Sequence, residues 1–171
     1  MIKRFLSIRI LFFIIVCALS LSPLNASFVE YLNEIETISK RTISQAQKEE
    51  LMAFRNSNQI FALDEDDLDL KHGEFTQSKK NTLRKQWKEN TEEKWLKYQK
   101  TVNCKVNQET ICRQKGWYYD MHHIIPQTYN GPHVWWNVFP LTLYQHNDVH
   151  RDGTQCSLLF PNSTGIRKED Y

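Results

Sequence analysis

Five of the six histidines, His122, His123, His133, His146 and His150, fall within 29 residues. Imidazole is the side chain that both ligates metals and exchanges protons near neutral pH. His146 and His150 stand four apart, so on a helix they lie one turn apart on one face and can aim ring nitrogens at a single point. A third imidazole from the end of a neighbouring strand completes three sides of a tetrahedron and leaves the fourth open to water or a phosphate oxygen. Either His122 or His123 can be that third ligand. Adjacent strand residues face opposite ways, so one of the pair binds and the other is left as a base, with an ordinary pKa of about 6.5. His133 has no coordinating geometry in its loop and reads as a surface residue.

Elements that could position these rings are legible around them. Trp117 to Met121 reads as a short strand ending at the histidine pair, Asn130-Gly131-Pro132 as a turn in a long loop, and Trp136 to Phe139 as a second strand closed by Pro140. Thr142 and Gln145 form a T-x-x-Q capping box that opens a helix at Leu143. The order is strand, loop, strand, helix. Trp135 and Trp136 are expected to pack beneath this small unit, because two strands need an apolar backing.

The run Asp120-Met121-His122-His123-Ile124-Ile125-Pro126, then Asn130-Gly131-Pro132, Trp135 to Leu141 and His146-Asn147-Asp148-Val149-His150-Arg151, resembles the HNH endonucleases of the His-Me finger, or ββα-metal, superfamily. It looks closest to the DNase domains of colicin-type and polymorphic toxins. The likeness is close over Asp120 to Arg151, faint from Leu83 to Trp95, and absent before about residue 75. It implies that His122, His146 and His150 hold one divalent ion, with His123 as general base. It also implies that Asn137 pins the loop and so fixes His123. Asp120 would orient a liganding ring as part of the catalytic site, and Arg151 would contact a phosphate. The implied reaction is hydrolysis of DNA phosphodiester bonds with little sequence preference, leaving a 5′-phosphate. Zinc, nickel, magnesium and manganese all remain candidate ions, and no small-molecule cofactor is expected. DNA is the expected partner, with RNA and an inhibitor or immunity protein as further ones. The alternatives are an RNase on the same scaffold and a zinc-stabilised, non-catalytic binding module in which four imidazoles close the site.

Upstream, apolar residues at Phe28, Leu32, Ile35 and Ile38, then Leu51 and Phe54, predict one long or two shorter amphipathic helices. Asp64 to Asp69 lacks the glycine and closing glutamate of a calcium loop and reads as a solvated acidic loop. Thr76 to Lys100 reads as helical, broken near Asn90 where Thr91 could cap a new start.

The net charge of +2 conceals three cations, Lys3, Arg4 and Arg9, in an acid-free start. These precede the apolar run Ile10 to Leu21 and a small-residue end, the pattern of a secretory signal peptide over residues 1–26; an uncleaved membrane anchor is the alternative. Secreted or periplasmic placement follows. In an oxidising compartment Cys104 and Cys112 could close a local disulfide loop, with pairings to Cys156 or free thiols as alternatives. A cysteine zinc site is not expected, since no two of these cysteines stand at the C-x2-4-C spacing such sites usually show. The expected fold is α+β: a helical region over 27–75, then a nuclease region over 76–171, with N-terminal helices packed on a ββα-metal motif at 117–151.

Overall fold

The computed structural model describes residues 23–106, 109–161 and 163. In α1 (Pro23–Ser39) the residues Phe28, Tyr31, Leu32 and Ile35 are all buried, at the i, i+3, i+4, i+7 spacing of one helical face. Lys40 turns into the left-handed region (φ 55°) and ends the helix. Ser44 then caps α2 (Gln45–Asn56) by accepting from the Gln47 N–H, which makes two helices rather than one. Most of the expected signal segment lies outside the described residues, and α1 runs without a break through the expected cleavage point after Ala26. Among the described residues no helix is long and apolar enough to cross a membrane.

The acidic stretch forms a helix where a loop was expected. Asp64 caps α3 (Glu65–Glu74), accepting from the Asp67 N–H at 2.9 Å, and Glu65, Asp66 and Asp67 occupy its first turn. Carboxylates there meet the positive end of the helix dipole, so the charges that suggested a loop instead start a helix. Thr76 caps α4 (Gln77–Thr91), which buries Leu83 and Trp87 one turn apart. No helix restarts at Thr91. Glu92 adopts a left-handed C-cap (φ 61°), and Trp95 and Tyr98 are then drawn into extended chain: the Trp95 indole donates to the Tyr119 carbonyl at 3.0 Å and Tyr98 N–H to Trp117 O at 2.9 Å.

The two sheets are separate antiparallel ribbons, β1 (Val102–Val106) with β2 (Glu109–Arg113), and β3 (Asp120–His123) with β4 (Val138–Leu141). Register places Cys104 opposite Ile111 and Cys112 opposite Asn103. The one-residue offset sends the two thiols to opposite faces, and all three described cysteines are free. The first strand of the histidine unit starts at Asp120, three residues later than expected, because Trp117 and Tyr118 pair with the preceding segment instead. The second runs through Pro140, opposite Met121. A proline is tolerated there because each strand of a two-stranded ribbon is an edge.

Alternation along β4 ties the halves of the molecule together. Phe139 enters a cluster with Phe28, Tyr31, Ile35, Leu51, Ile124 and Leu141, whereas Val138 enters a second with Leu83, Trp87 and Trp95. The tryptophans behave as expected, Trp136 packing on the first cluster, 5.4 Å from the Phe54 ring, and Trp135 on the second. The fold is α+β, with helices packed around a ββα unit.

The helix that carries two of the histidines, α5 (Leu143–Val149), opens with both halves of the capping box: Thr142 Oγ1 accepts from Gln145 N–H, and Gln145 Oε1 from Thr142 N–H at 2.9 Å. His150 is the C-cap residue, still one turn from His146. A short helix, α6 (Gln155–Leu159), follows. Thr142→Ala is expected to destabilise the protein by about 1 kcal/mol, the usual cost of a lost N-cap, measured as a shift in the urea midpoint at unchanged slope.

Candidate metal centre

The end of β3 and one face of α5 bring His122, His146 and His150 together, with ring centroids 5.1 to 5.2 Å apart. One ligand atom from each lies within 4.8 Å of the other two, close enough for small side-chain rotations to meet an ion at about 2.0–2.1 Å. The hydrogen bonding fits a cation. Nδ1 of His122 is buried without a hydrogen-bond partner, and Nδ1 of His146 has none beyond a long contact with Asp120. Such an orphan costs about 1–3 kcal/mol and a metal ion would satisfy it. Burial, followed by repulsion from the neighbouring rings, holds the His122 pKa well below its ordinary value and lowers that of His150 to about 3, so both rings stay neutral as ligation requires.

Each ring of the triad is contacted from outside it. The Tyr31 hydroxyl of α1 donates to Ile124 O at 2.9 Å and lies 3.0 Å from His122 Nε2. With its proton committed to the carbonyl, it can only accept from His122 Nε2–H. That places the His122 proton on Nε2 and leaves Nδ1 as the free lone pair. His150 Nδ1 touches the Cys156 thiol at 3.5 Å, and burial raises that thiol's pKa to about 11. Asp120 Oδ2 is 3.8 Å from His146 Nδ1, an electrostatic contact too long for a hydrogen bond. Asp120 is itself held by Arg113, whose Nε donates to Oδ1 at 2.8 Å and whose second terminal nitrogen donates to Oδ2 at 3.2 Å. Burial pushes the Asp120 pKa up, but the contacts with His146 and Arg113 outweigh it and the carboxyl stays below its usual range.

His123 points away from the triad, as strand alternation requires, and lines the same cleft of about 440 Å³. Burial first, and His133 second, hold its pKa well below the usual value. The loop beyond it is clasped by Asn137. The Asn137 amide accepts from Ile125 N–H at 2.8 Å and donates to Ile125 O and Pro132 O, each at 3.0 Å. Gly131 completes the closure: a Cβ there would sit 1.7 Å from Ile125 O, so only glycine lets the loop fold back this tightly.

His133 is not a surface residue. It is 7% exposed, its Nδ1 is 3.0 Å from His123 Nε2, and its Nε2 is 2.9 Å from Lys71 O. The helix that receives it, α3, lay hidden in an apparent acidic loop. Arg151 is exposed just past α5 and is not among the residues lining the cleft. Cations there come instead from α4, where Lys80 stands 4.8 Å over Phe75 and Arg84 4.5 Å over Tyr118. Tyr31, Arg113 and Cys156 were also invisible as site residues, since each reaches the triad from a distant or separately folded segment. The faint signal for Arg113 was that a buried Asp120 demands a cation.

Over 85 residues, 47% of its length, the chain is 40% identical to a Bacillus subtilis (strain 168) protein named Toxin YxiD. The match spans 14% of that relative's length. No family model and no solved structure matches.

Two outcomes follow from the geometry. Tyr31→Phe should weaken zinc binding about 10- to 100-fold by calorimetry, the usual effect of losing a group that orients a ligand. The metal-free protein should lose stability as pH falls from 6.5, the ordinary histidine value, toward about 3, the folded value of His150. In that window the unfolded chain binds more protons than the folded one, so acid favours unfolding. His122 and His123 act in the same direction, and Asp120 adds to the loss below 3.8. Thermal melts in chelator across that range check the slope.

Proposed function

We propose that this chain is a metal-dependent HNH-type endonuclease that hydrolyses DNA phosphodiester bonds and serves as an exported toxin. The observation that carries the reading is the pairing, in one cleft, of three convergent imidazoles with a fourth held off them. His122, His146 and His150 would hold a divalent ion, which supplies positive charge to the phosphate and the departing alkoxide. His123, kept neutral by burial, takes the proton from the attacking water. Asn137 holds the backbone just beyond His123 rigid, so the base does not drift from the attack position. Asp120, neutralised by Arg113, steadies the His146 side of the triad. Lys80 and Arg84 offer charge to the phosphates on either side of the scissile bond.

The toxin role is supported by the name of the similar Bacillus subtilis protein, and export by the basic and apolar start of the chain. A nuclease of low specificity endangers its producer, so an inhibitor protein that plugs the cleft is a natural partner. The non-catalytic zinc module would need His123 to turn onto the ion, and its bond to His133 works against that.

The test is plasmid nicking by the purified chain after metal stripping, with zinc, nickel, magnesium and manganese added back singly and an RNA substrate in parallel. Nicking is expected to return with at least one ion. His123→Ala should retain fold and metal while nicking falls about 10²- to 10⁴-fold, the range ascribed to a general base. Cleavage that persists under complete chelation would overturn the reading.

A further inference from the structure

Resting on that reading, we propose that His133 is the positioning residue for the base, fixing His123 in the one tautomer whose Nδ1 carries the lone pair that receives the proton from water. The chain of contacts begins at a helix end. The last four carbonyls of any helix lack an intrahelical partner, and Lys71 O is among those of α3. It can only accept, so the His133 Nε2 that lies 2.9 Å away carries a proton. His133 is buried, with Phe75 stacked on its ring at 4.8 Å and 12°, and burial is the leading influence keeping it neutral. Its Nδ1 is then a lone pair. That lone pair is 3.0 Å from His123 Nε2, which must donate. One proton thereby sits on His123 Nε2, and Nδ1 is left as the acceptor, at present of the Gln127 amide N–H at 3.4 Å, a long bond that an attacking water displaces. The ring is also held in orientation by Phe75, packed edge to face with ring centroids 4.7 Å apart.

The arrangement is a relay of orientation: a backbone carbonyl sets one imidazole, which sets the next. No proton needs to travel along it. It gives α3 a role in the chemistry although none of its side chains is required to touch the scissile phosphate. It also accounts for burying a second imidazole beside the base, where an apolar side chain of similar shape would pack on Phe75 as well but would leave His123 Nε2–H without an acceptor.

The experiment uses the full chain with ¹⁵N-labelled histidine. Long-range ¹⁵N–¹H correlation on the wild type is expected to show His123 protonated at Nε2 and bare at Nδ1. His133→Phe keeps a ring against Phe75 but removes both polar contacts; it should lose the single tautomer and nick about 10- to 100-fold more slowly in kcat, with zinc affinity unchanged. His133→Asn returns an acceptor near the Nδ1 position and should recover most of the rate. Where His133→Phe fails to fold, the wild-type spectrum and the Asn variant still decide. A His123 protonated at Nδ1, or Phe and Asn variants equally slow, or a Phe variant as fast as the wild type, overturns the role of His133 while the nuclease reading stands. Absence of metal-dependent nicking in the wild type itself overturns the nuclease reading and the positioning role with it.

Discussion

A neutral imidazole has one donor and one acceptor, and whatever occupies one nitrogen decides what the other can do. That constraint governs this molecule. Around the cleft, His122 and His123 are neighbours in sequence with matching chemistry, yet the groups behind them leave different ring atoms available. Tyr31 occupies the outer nitrogen of His122 and turns its lone pair toward His146 and His150. His133 occupies the outer nitrogen of His123 and keeps that ring apart. Strand pleating separates the two rings to opposite faces; the hydrogen bonds behind them settle which atom of each ring is free.

The surrounding helices matter because they deliver those groups. Helix α1 buries Tyr31 in the apolar cluster it shares with Phe139 and Leu141, so the hydroxyl arrives by packing and not by a local turn. Helix α3 contributes a carbonyl from its C-terminal end. The β1–β2 ribbon contributes Arg113, which is 2% exposed and meets a 2% exposed Asp120. A buried pair of this kind is weak evidence for net stability, since both ions pay desolvation, but removing one partner would strand the other's charge at a cost of about 3–5 kcal/mol. Its evident use is geometric: it anchors the carboxylate beside His146, and Tyr98 links the same carboxylate to the first N–H of α5.

Rigidity of the intervening loop has a separate source. Asn137 uses both ends of its amide on backbone, and Gly131 allows the approach that makes those bonds possible. Gln47, fully buried on α2, donates to Val138 O at 3.1 Å and so fastens the start of β4 to the helical half. The ββα unit is therefore built into the helices around it, and the geometry of the histidines depends on residues more than ninety positions away.

What could be read from the sequence was whatever depends on neighbours along the chain. The capping box at Thr142 and Gln145, the one-turn spacing of His146 and His150, the opposed faces of His122 and His123, and the Asn130-Gly131-Pro132 turn are all consequences of local backbone geometry. The misreadings share the opposite character. Asp64 to Asp67 is the exception, since a local cap and a carboxylate-rich first turn start α3 although none of its residues is buried; Trp95 and Tyr98 leave the helical pattern because Tyr119 and Trp117 offer them backbone partners; and Cys104 and Cys112 face apart because of a register that spacing does not encode. His133 looked idle for the same reason, since its two partners, Lys71 and His123, come from another helix and from across a loop. Types and spacings of residues set which atoms could act; only the tertiary packing decided which nitrogen of each imidazole is left free, because a ring's tautomer is fixed by the atom behind it and that atom is supplied from far along the chain.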